Sequence, residues 1–231
     1  MKNIVIIPAA GSGSRFGSKT PKQFLKLPPK NIEVISYTIK KFQEINSVNE
    51  IIIATSSDNF KKLKKIISDN KFSKVSRIVE GGETRHQSGF NALLSLKCGK
   101  DDRIIIHDAV RPFITKKKIK ELIKLSIKYP ELVPGLKVND TIKKIDDKNF
   151  ISESLKRENI WRIQTPQIFR YEILVKSFEH AHKTKFIGTD ESSIVTNAGY
   201  KVKIVEGEIS NLKITTKEDL KIINFNKLLI S

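Results

Sequence analysis

Ile4-Val5-Ile6-Ile7 followed by PAAGSGSRFGSKTPKQF, residues 8–24, decides how this chain is read. Four consecutive β-branched residues predict a strand buried on both faces, and the glycine-rich turn sits directly at its carboxyl end. Gly11 and Gly13 carry no side chain and tolerate positive φ, so main-chain N–H groups there approach phosphate oxygens closely. Arg15 adds a rigid fork that grips two oxygens at once, and Lys22 adds a mobile ammonium that follows developing charge. The spacing matches neither G-x-G-x-x-G nor G-x-x-x-x-G-K-[ST]. Two glycines after a strand also serve as plain punctuation, and a lysine as a surface charge. Together with the two cations they point to a polyphosphate.

Working outward, short β-branched runs near residues 3–8, 50–55, 75–79, 103–107, 131–137 and 201–205 alternate with helical stripes. Val34, Ile35, Thr38, Ile39, Phe42 and Ile45 form one stripe, Phe60, Leu63, Ile66 and Ile67 a second, and Ile119, Leu122, Ile123 and Ile127 a third. This alternation predicts βαβ units, hence an α/β fold with a mostly parallel, buried sheet, and the stripes are core. Ligands of such sheets bind beyond the carboxyl ends of the strands. The glycine-rich turn, the segment 81–85 and the segment 108–112 each follow an expected strand, so they are expected to converge on one crevice. Residues 143–149, KKIDDKN, are too polar for core and read as the tip of an exposed hairpin.

Bulk properties narrow the class. The 231 residues suit one α/β domain, and 39% hydrophobic with 29% charged residues is ordinary for a globular protein. No apolar run approaches the roughly 20 residues of a membrane helix, and the apolar start is broken too early for a signal peptide, so a cytoplasmic protein is expected. Cys98 is the only cysteine, which excludes an internal disulfide and a cysteine-based zinc site. The net charge of +18 raises nucleic acid as a partner, but 35 of the 43 basic residues are dispersed lysines with no interleaved aromatic platform. Neither nucleic acid nor membrane is therefore expected as a partner.

The stretch P-A-A-G-S-G-S-R-F-G with P-K-Q after it resembles the nucleotide-binding signature of the 2-C-methyl-D-erythritol 4-phosphate cytidylyltransferases of isoprenoid biosynthesis. The resemblance continues in family order through Gly81-Gly82-Glu83-Thr84-Arg85 with Ser88, His107-Asp108-Ala109-Val110-Arg111-Pro112, Asp140-Thr141, Arg157, Thr165-Pro166-Gln167, Thr189-Asp190-Glu191 and Asn211-Leu212-Lys213-Ile214-Thr215. It spans essentially the whole chain. Gly89-Phe90-Asn91 and Val110 depart from the family pattern without removing a charged or hydrogen-bonding group.

What the resemblance implies is specific. The fold would be a Rossmann-like three-layer αβα nucleotidyltransferase fold in a single domain, 1–231, with residues 138–160 forming a β-arm that embraces a second copy in a homodimer. The reaction would join CTP and 2-C-methyl-D-erythritol 4-phosphate, with Mg²⁺, to give CDP-methylerythritol and pyrophosphate. Arg15, Lys22 and Lys213 would neutralise charge in the transition state, while Ala9, Ala10, Gly11 and Gly13 cradle the nucleotide and Gly82, Glu83 and Ser88 recognise cytosine. Asp108 would hold the metal, though as an isolated residue it also reads as a cap. Arg111, Thr141, Arg157 and Thr165, with Asp108, would grip the acceptor, Arg157 reaching across from the partner; the two threonines also read as turn or strand hydrogen bonding. Thr189-Asp190-Glu191 reads as a helix start with a supporting role. Three alternatives stay open: a ribitol-5-phosphate cytidylyltransferase, a sugar nucleotidyltransferase using another base, and a non-catalytic nucleic-acid-binding protein.

Overall fold

The expected alternation is present in the computed structural model, which describes residues 1–11, 20–82, 84–216 and 218–220. The chain runs β1 (Asn3–Pro8), a small β2 (Lys26–Leu27) and β3 (Ile32–Glu33) pair, α1 (Val34–Gln43), β4 (Glu50–Thr55), α2 (Phe60–Asp69), β5 (Val75–Glu80), α3 (Arg85–Leu94), β6 (Arg103–Ile106) and α4 (Lys116–Lys128). It continues with β7 (Leu132–Lys137), β8 (Ile142–Ile145), β9 (Ile151–Leu155), β10 (Trp161–Ile163), β11 (Gln167–Arg170), α5 (Tyr171–Thr184), α6 (Glu191–Asn197) and β12 (Lys203–Glu206). Among the described residues eight strands join one sheet in the order β10-β7-β11-β6-β1-β4-β5, with β12 on the other side of β7. Strands β1, β4, β5 and β6 pair in parallel, and β7 with β12 likewise. Within this sheet, among the described residues, only β10 and β11 run against their neighbours.

The period-2 alternation of β1 explains the three layers. Val5 and Ile7 face one side, with Ile51, Ile53 and Ile105, and pack on Ile35, Ile39 and Phe42 of α1, Leu63 of α2 and Ile119 and Leu122 of α4. Ile4 and Ile6 face the other, with Ile52, Ile104 and Ile106, against Ala92 and Leu93 of α3, Leu174 and Phe178 of α5 and Ile194 of α6. Because both faces are covered, these strands carry unbroken apolar runs, and each fully buried Ile or Phe contributes about 1.5–3 kcal/mol. Thr84 and Thr115 cap α3 and α4 by accepting the Gln87 and Lys118 N–H groups, each at 3.0 Å.

Residues 138–160 leave this body as the antiparallel hairpin β8–β9, which pairs only with itself. Its tip is shorter than the sequence suggested. Asp146 takes the Lys148 and Phe150 N–H groups, each at 2.9 Å, on one carboxylate oxygen, while Lys143, Lys144 and Ile145 belong to β8. No helix among the described residues is long and apolar enough to cross a membrane.

Candidate active site

The carboxyl ends of β6, β1 and β5 lie along one edge of the sheet, with β4 between β1 and β5, and the segments that follow β1 and β5 touch there. Ala9 is buried; its N–H donates to the Ala54 carbonyl at 2.6 Å, and its carbonyl accepts from Thr55 Oγ1 at 3.2 Å and Gln23 Nε2 at 2.6 Å. Gln23 also reaches the Gly11 carbonyl at 3.2 Å, so the P-K-Q segment returns to hold the entry of the glycine-rich turn. Lys22 opens the single helical turn Lys22–Phe24 that carries Gln23. Among the described glycines only Gly199 has a positive φ, so Gly11 does not use the left-handed region expected of it; it borders open space, with nothing within 4 Å of where a Cβ would stand.

Gly81 is the opposite case. A Cβ there would stand 2.4 Å from Ala10 Cβ and 2.9 Å from Ser88 Oγ, so the two turns touch where Gly81 lacks a side chain. Ser88 is buried, and its hydroxyl accepts the Gly82 N–H at 3.1 Å and lies 2.9 Å from the Thr84 carbonyl. It shapes the loop that follows β5. Gly13, Arg15 and Glu83 lie outside the described residues.

Beyond β6 a second group gathers around Asp108, which is 5% exposed. Arg85 Nε donates to Oδ1 at 2.8 Å, while Arg111 Nε at 3.2 Å and Lys213 Nζ at 3.0 Å share Oδ2. Burial alone would raise the Asp108 pKa, but Arg85, Lys213 and Arg111 outweigh it and hold the carboxyl well below its usual range. Burial lowers His107 to about 4, so its ring is neutral near pH 7. Its Nε2 lies 3.0 Å from the Arg111 carbonyl, which can only accept, so Nε2 carries the proton and Nδ1 accepts from Thr165 Oγ1 at 3.0 Å. Thr165 Oγ1 in turn accepts the Asp108 N–H at 3.1 Å. The Asn211 side chain, fully buried, donates through Nδ2 to the Thr165 carbonyl at 2.7 Å, and the Asn211 main-chain carbonyl accepts from Arg111 Nη1 at 2.8 Å. Asp108, Arg111, Thr165 and Lys213 line a cleft of about 580 Å³ together with Arg85, Gln167, Asp190 and Ser192.

Four of the expected site residues are thus brought together. Thr141 and Arg157 are not among them: both are exposed on the arm and neither lines the cleft, Arg157 Nη1 donating to the Asn139 carbonyl instead. Asp108, the expected metal ligand, is held by three cationic nitrogens within 3.2 Å that occupy both carboxylate oxygens. The sequence reading assigned no role to Arg85, Gln23 or Asn211. Their motifs were visible, but their long-range partners were not.

A crevice at the carboxyl edge of an open α/β sheet, with cations converging on a buried carboxylate after β6 and the start of a glycine-rich turn after β1, places the protein in the class that binds nucleotides and phosphate esters. A profile of the family described as 2-C-methyl-D-erythritol 4-phosphate cytidylyltransferase matches residues 3–227. Curated proteins of that name from Dictyoglomus thermophilum and Clostridium novyi are 40% and 38% identical, each comparison covering 95% of this chain and 94% of the relative. A crystal structure of 4-diphosphocytidyl-2C-methyl-D-erythritol synthase from Anaerococcus prevotii superposes with a TM-score of 0.83 at 30% identity, over 97% of both chains. The chain therefore belongs to the 2-C-methyl-D-erythritol 4-phosphate cytidylyltransferase family.

Proposed function

We infer that the protein joins CTP and 2-C-methyl-D-erythritol 4-phosphate, releasing pyrophosphate and forming CDP-methylerythritol for isoprenoid synthesis. A phosphate oxygen of the acceptor attacks the α-phosphorus of CTP. That P–O bond forms as the bond to the β-phosphate's bridging oxygen breaks, and the electron pair leaves with pyrophosphate. Alignment and charge neutralisation carry such a transfer. The observation that supports this reading is the pair Arg111 and Lys213 meeting on one oxygen of a buried carboxylate in the cleft. Arg111, 11% exposed, is the fixed half of the acceptor-phosphate site, and Lys213, 40% exposed, is free to turn from Asp108 to an incoming phosphate. Ala9, Ala10 and Gly11 offer backbone to CTP, with Arg15 and Lys22 after them as the charge for the α-phosphate and the leaving group. The backbone of the 81–82 loop, set by Ser88, reads the cytosine edge.

Magnesium, brought with CTP, would be held by Asp108, a hard oxygen donor at the end of β6, and would neutralise charge on the triphosphate. The chain's part is to bind and orient the two substrates. We further propose a homodimer through residues 138–160. Phe150 and Ile151 of the isolated hairpin are 68% and 66% exposed, and a lone two-stranded hairpin is marginally stable until covered. A partner's arm would bring Thr141 and Arg157 to an active site that one subunit leaves without them. The expected location is the cytoplasm.

Pyrophosphate release from CTP with methylerythritol 4-phosphate or ribitol 5-phosphate, against a no-acceptor control and against UTP, tests the reading. Release with methylerythritol phosphate and CTP alone is expected. Release only with ribitol phosphate would transfer the protein to the rival activity, and equal use of UTP would remove the base assignment.

A further inference from the structure

Glu191 is fully buried, 0% exposed, yet it is no part of the substrate-facing set. Both of its carboxylate oxygens lie 2.8 Å from Arg85 Nη1, and the same guanidinium's Nε is the donor to Asp108 Oδ1. The start of α6, which carries Glu191, is itself pinned. Asp190 takes the Ser193 N–H at 2.9 Å and the Gln167 side-chain amide at 2.7 Å, and Gln167 Oε1 takes the Ser192 N–H at 3.0 Å. From the opposite side, Gly89 leaves room for the carboxylate: a Cβ at that position would stand 3.3 Å from Glu191 Oε1.

Resting on the function proposed above, we propose that Glu191 is a positioning residue for the acceptor phosphate, holding Arg85 so that Asp108 keeps Arg111 and Lys213 together on its far oxygen. The physical reason lies in how the guanidinium divides its donors. A guanidinium with a carboxylate as its sole anchor turns to face it with two parallel N–H groups. Glu191 holds Nη1 and so fixes how the guanidinium is turned, Arg85 meeting Asp108 through Nε at Oδ1 and leaving Oδ2 to the two phosphate-binding cations. Without Glu191, Arg85 closes on both Asp108 oxygens and displaces Lys213, which is the most exposed of the three.

The test uses the intact protein with Glu191→Gln and Gly89→Ala. Glu191→Gln removes the charge, whereas Gly89→Ala alters no charged group and displaces the carboxylate by a few tenths of an ångström. Three readouts are needed: KM for methylerythritol phosphate, KM for CTP, and calorimetric affinity for inorganic phosphate. For Glu191→Gln the acceptor KM and the phosphate dissociation constant are expected to rise about tenfold while the CTP constant stays within about twofold. Gly89→Ala is expected to move the same two constants the same way by about threefold, so it decides the matter if Glu191→Gln does not fold. Unchanged acceptor and phosphate constants, acceptor and CTP constants that rise together, or no phosphate binding by the unaltered protein would overturn the proposal. Failure of the unaltered protein to use methylerythritol phosphate would overturn the proposed function instead, and the phosphate comparison would still decide the role of Glu191.

Discussion

Gly81→Ala perturbs the contact between the two turns proposed to shape the nucleotide side, and its size follows from geometry. The added Cβ would lie 2.4 Å from Ala10 Cβ, whereas carbon atoms sit in contact at about 3.5–4.0 Å. Ala10 Cβ has no torsion by which to escape, so the two backbone segments must separate by more than about 1 Å. Overpacking of this kind costs about 1–3 kcal/mol. In a protein of this size each kcal/mol lowers Tm by about 2–4 °C, so a fall of roughly 2–12 °C is expected. A misplacement of about 1 Å in a positioning element lowers rate by up to about 100-fold, so kcat/KM for CTP should fall by about 10- to 100-fold. Thermal denaturation and pyrophosphate release at varied CTP with saturating acceptor measure both. Gly11→Ala is the control: nothing lies within 4 Å of its Cβ, so Tm should hold while CTP binding weakens as the methyl enters space meant for phosphate. If Gly81→Ala kept Tm within about 1 °C and kcat/KM within about twofold, the contact would not be what shapes the site.

Other perturbations separate the remaining roles. Asp108→Asn takes the shared anion from three cations and removes the proposed metal donor, so acceptor KM should rise about tenfold or more and the Mg²⁺ concentration for half-maximal rate should rise as well; an unchanged Mg²⁺ requirement would refute Asp108 as a metal ligand. His107, depressed to about 4 in the fold, favours the folded state above its unfolded pKa of about 6.5 and loses that contribution as pH falls from there towards 4. The loss amounts to about 3 kcal/mol, so denaturant titrations of the unaltered protein and His107→Gln should diverge across that window, and parallel curves would contradict the burial argument. Asp108 contributes its own loss at lower pH, because its pKa is depressed below the carboxylate range. Phe150→Asp with Ile151→Asp should yield a monomer by sedimentation that uses the acceptor poorly, and a monomer with full turnover would refute a borrowed Arg157.

The strands were legible wherever β-branched residues ran together. The observed β1 and β4 match residues 3–8 and 50–55, and β5, β6 and β7 differ by one residue at an end. Such strands are buried on both faces, so the sequence records them without help from partners. Helix α3 was hidden because it follows two glycines and contains a third, and Gly89 is there for the sake of Glu191, 102 positions later. Strands β10 and β11 were hidden for another reason. They lie along one side of β7, but Gln164, Thr165 and Pro166 interrupt them to reach the site, and their polar residues read as loop. At the site the motifs led to Asp108, Arg111, Thr165 and Lys213. The Arg85–Glu191 pair spans 106 positions, and no local pattern announces which arginine a buried glutamate will meet.

A buried carboxylate inside a cluster proposed to bind phosphate looks self-defeating, since two unit charges about 4 Å apart interact by about 4 kcal/mol at an effective dielectric of 20. The count of charges resolves this. Arg85, Arg111 and Lys213 face Asp108 and Glu191, which leaves one net positive charge on the cluster. Without the carboxylates three cations would repel one another and spread apart, so each would have to be drawn back when the phosphate bound. With them, the cations are already gathered, and the exposed Lys213 is the one that changes partner. On the proposed reading Asp108 keeps the site assembled between turnovers, and Glu191 keeps Arg85 from claiming the oxygen that Lys213 must be able to leave.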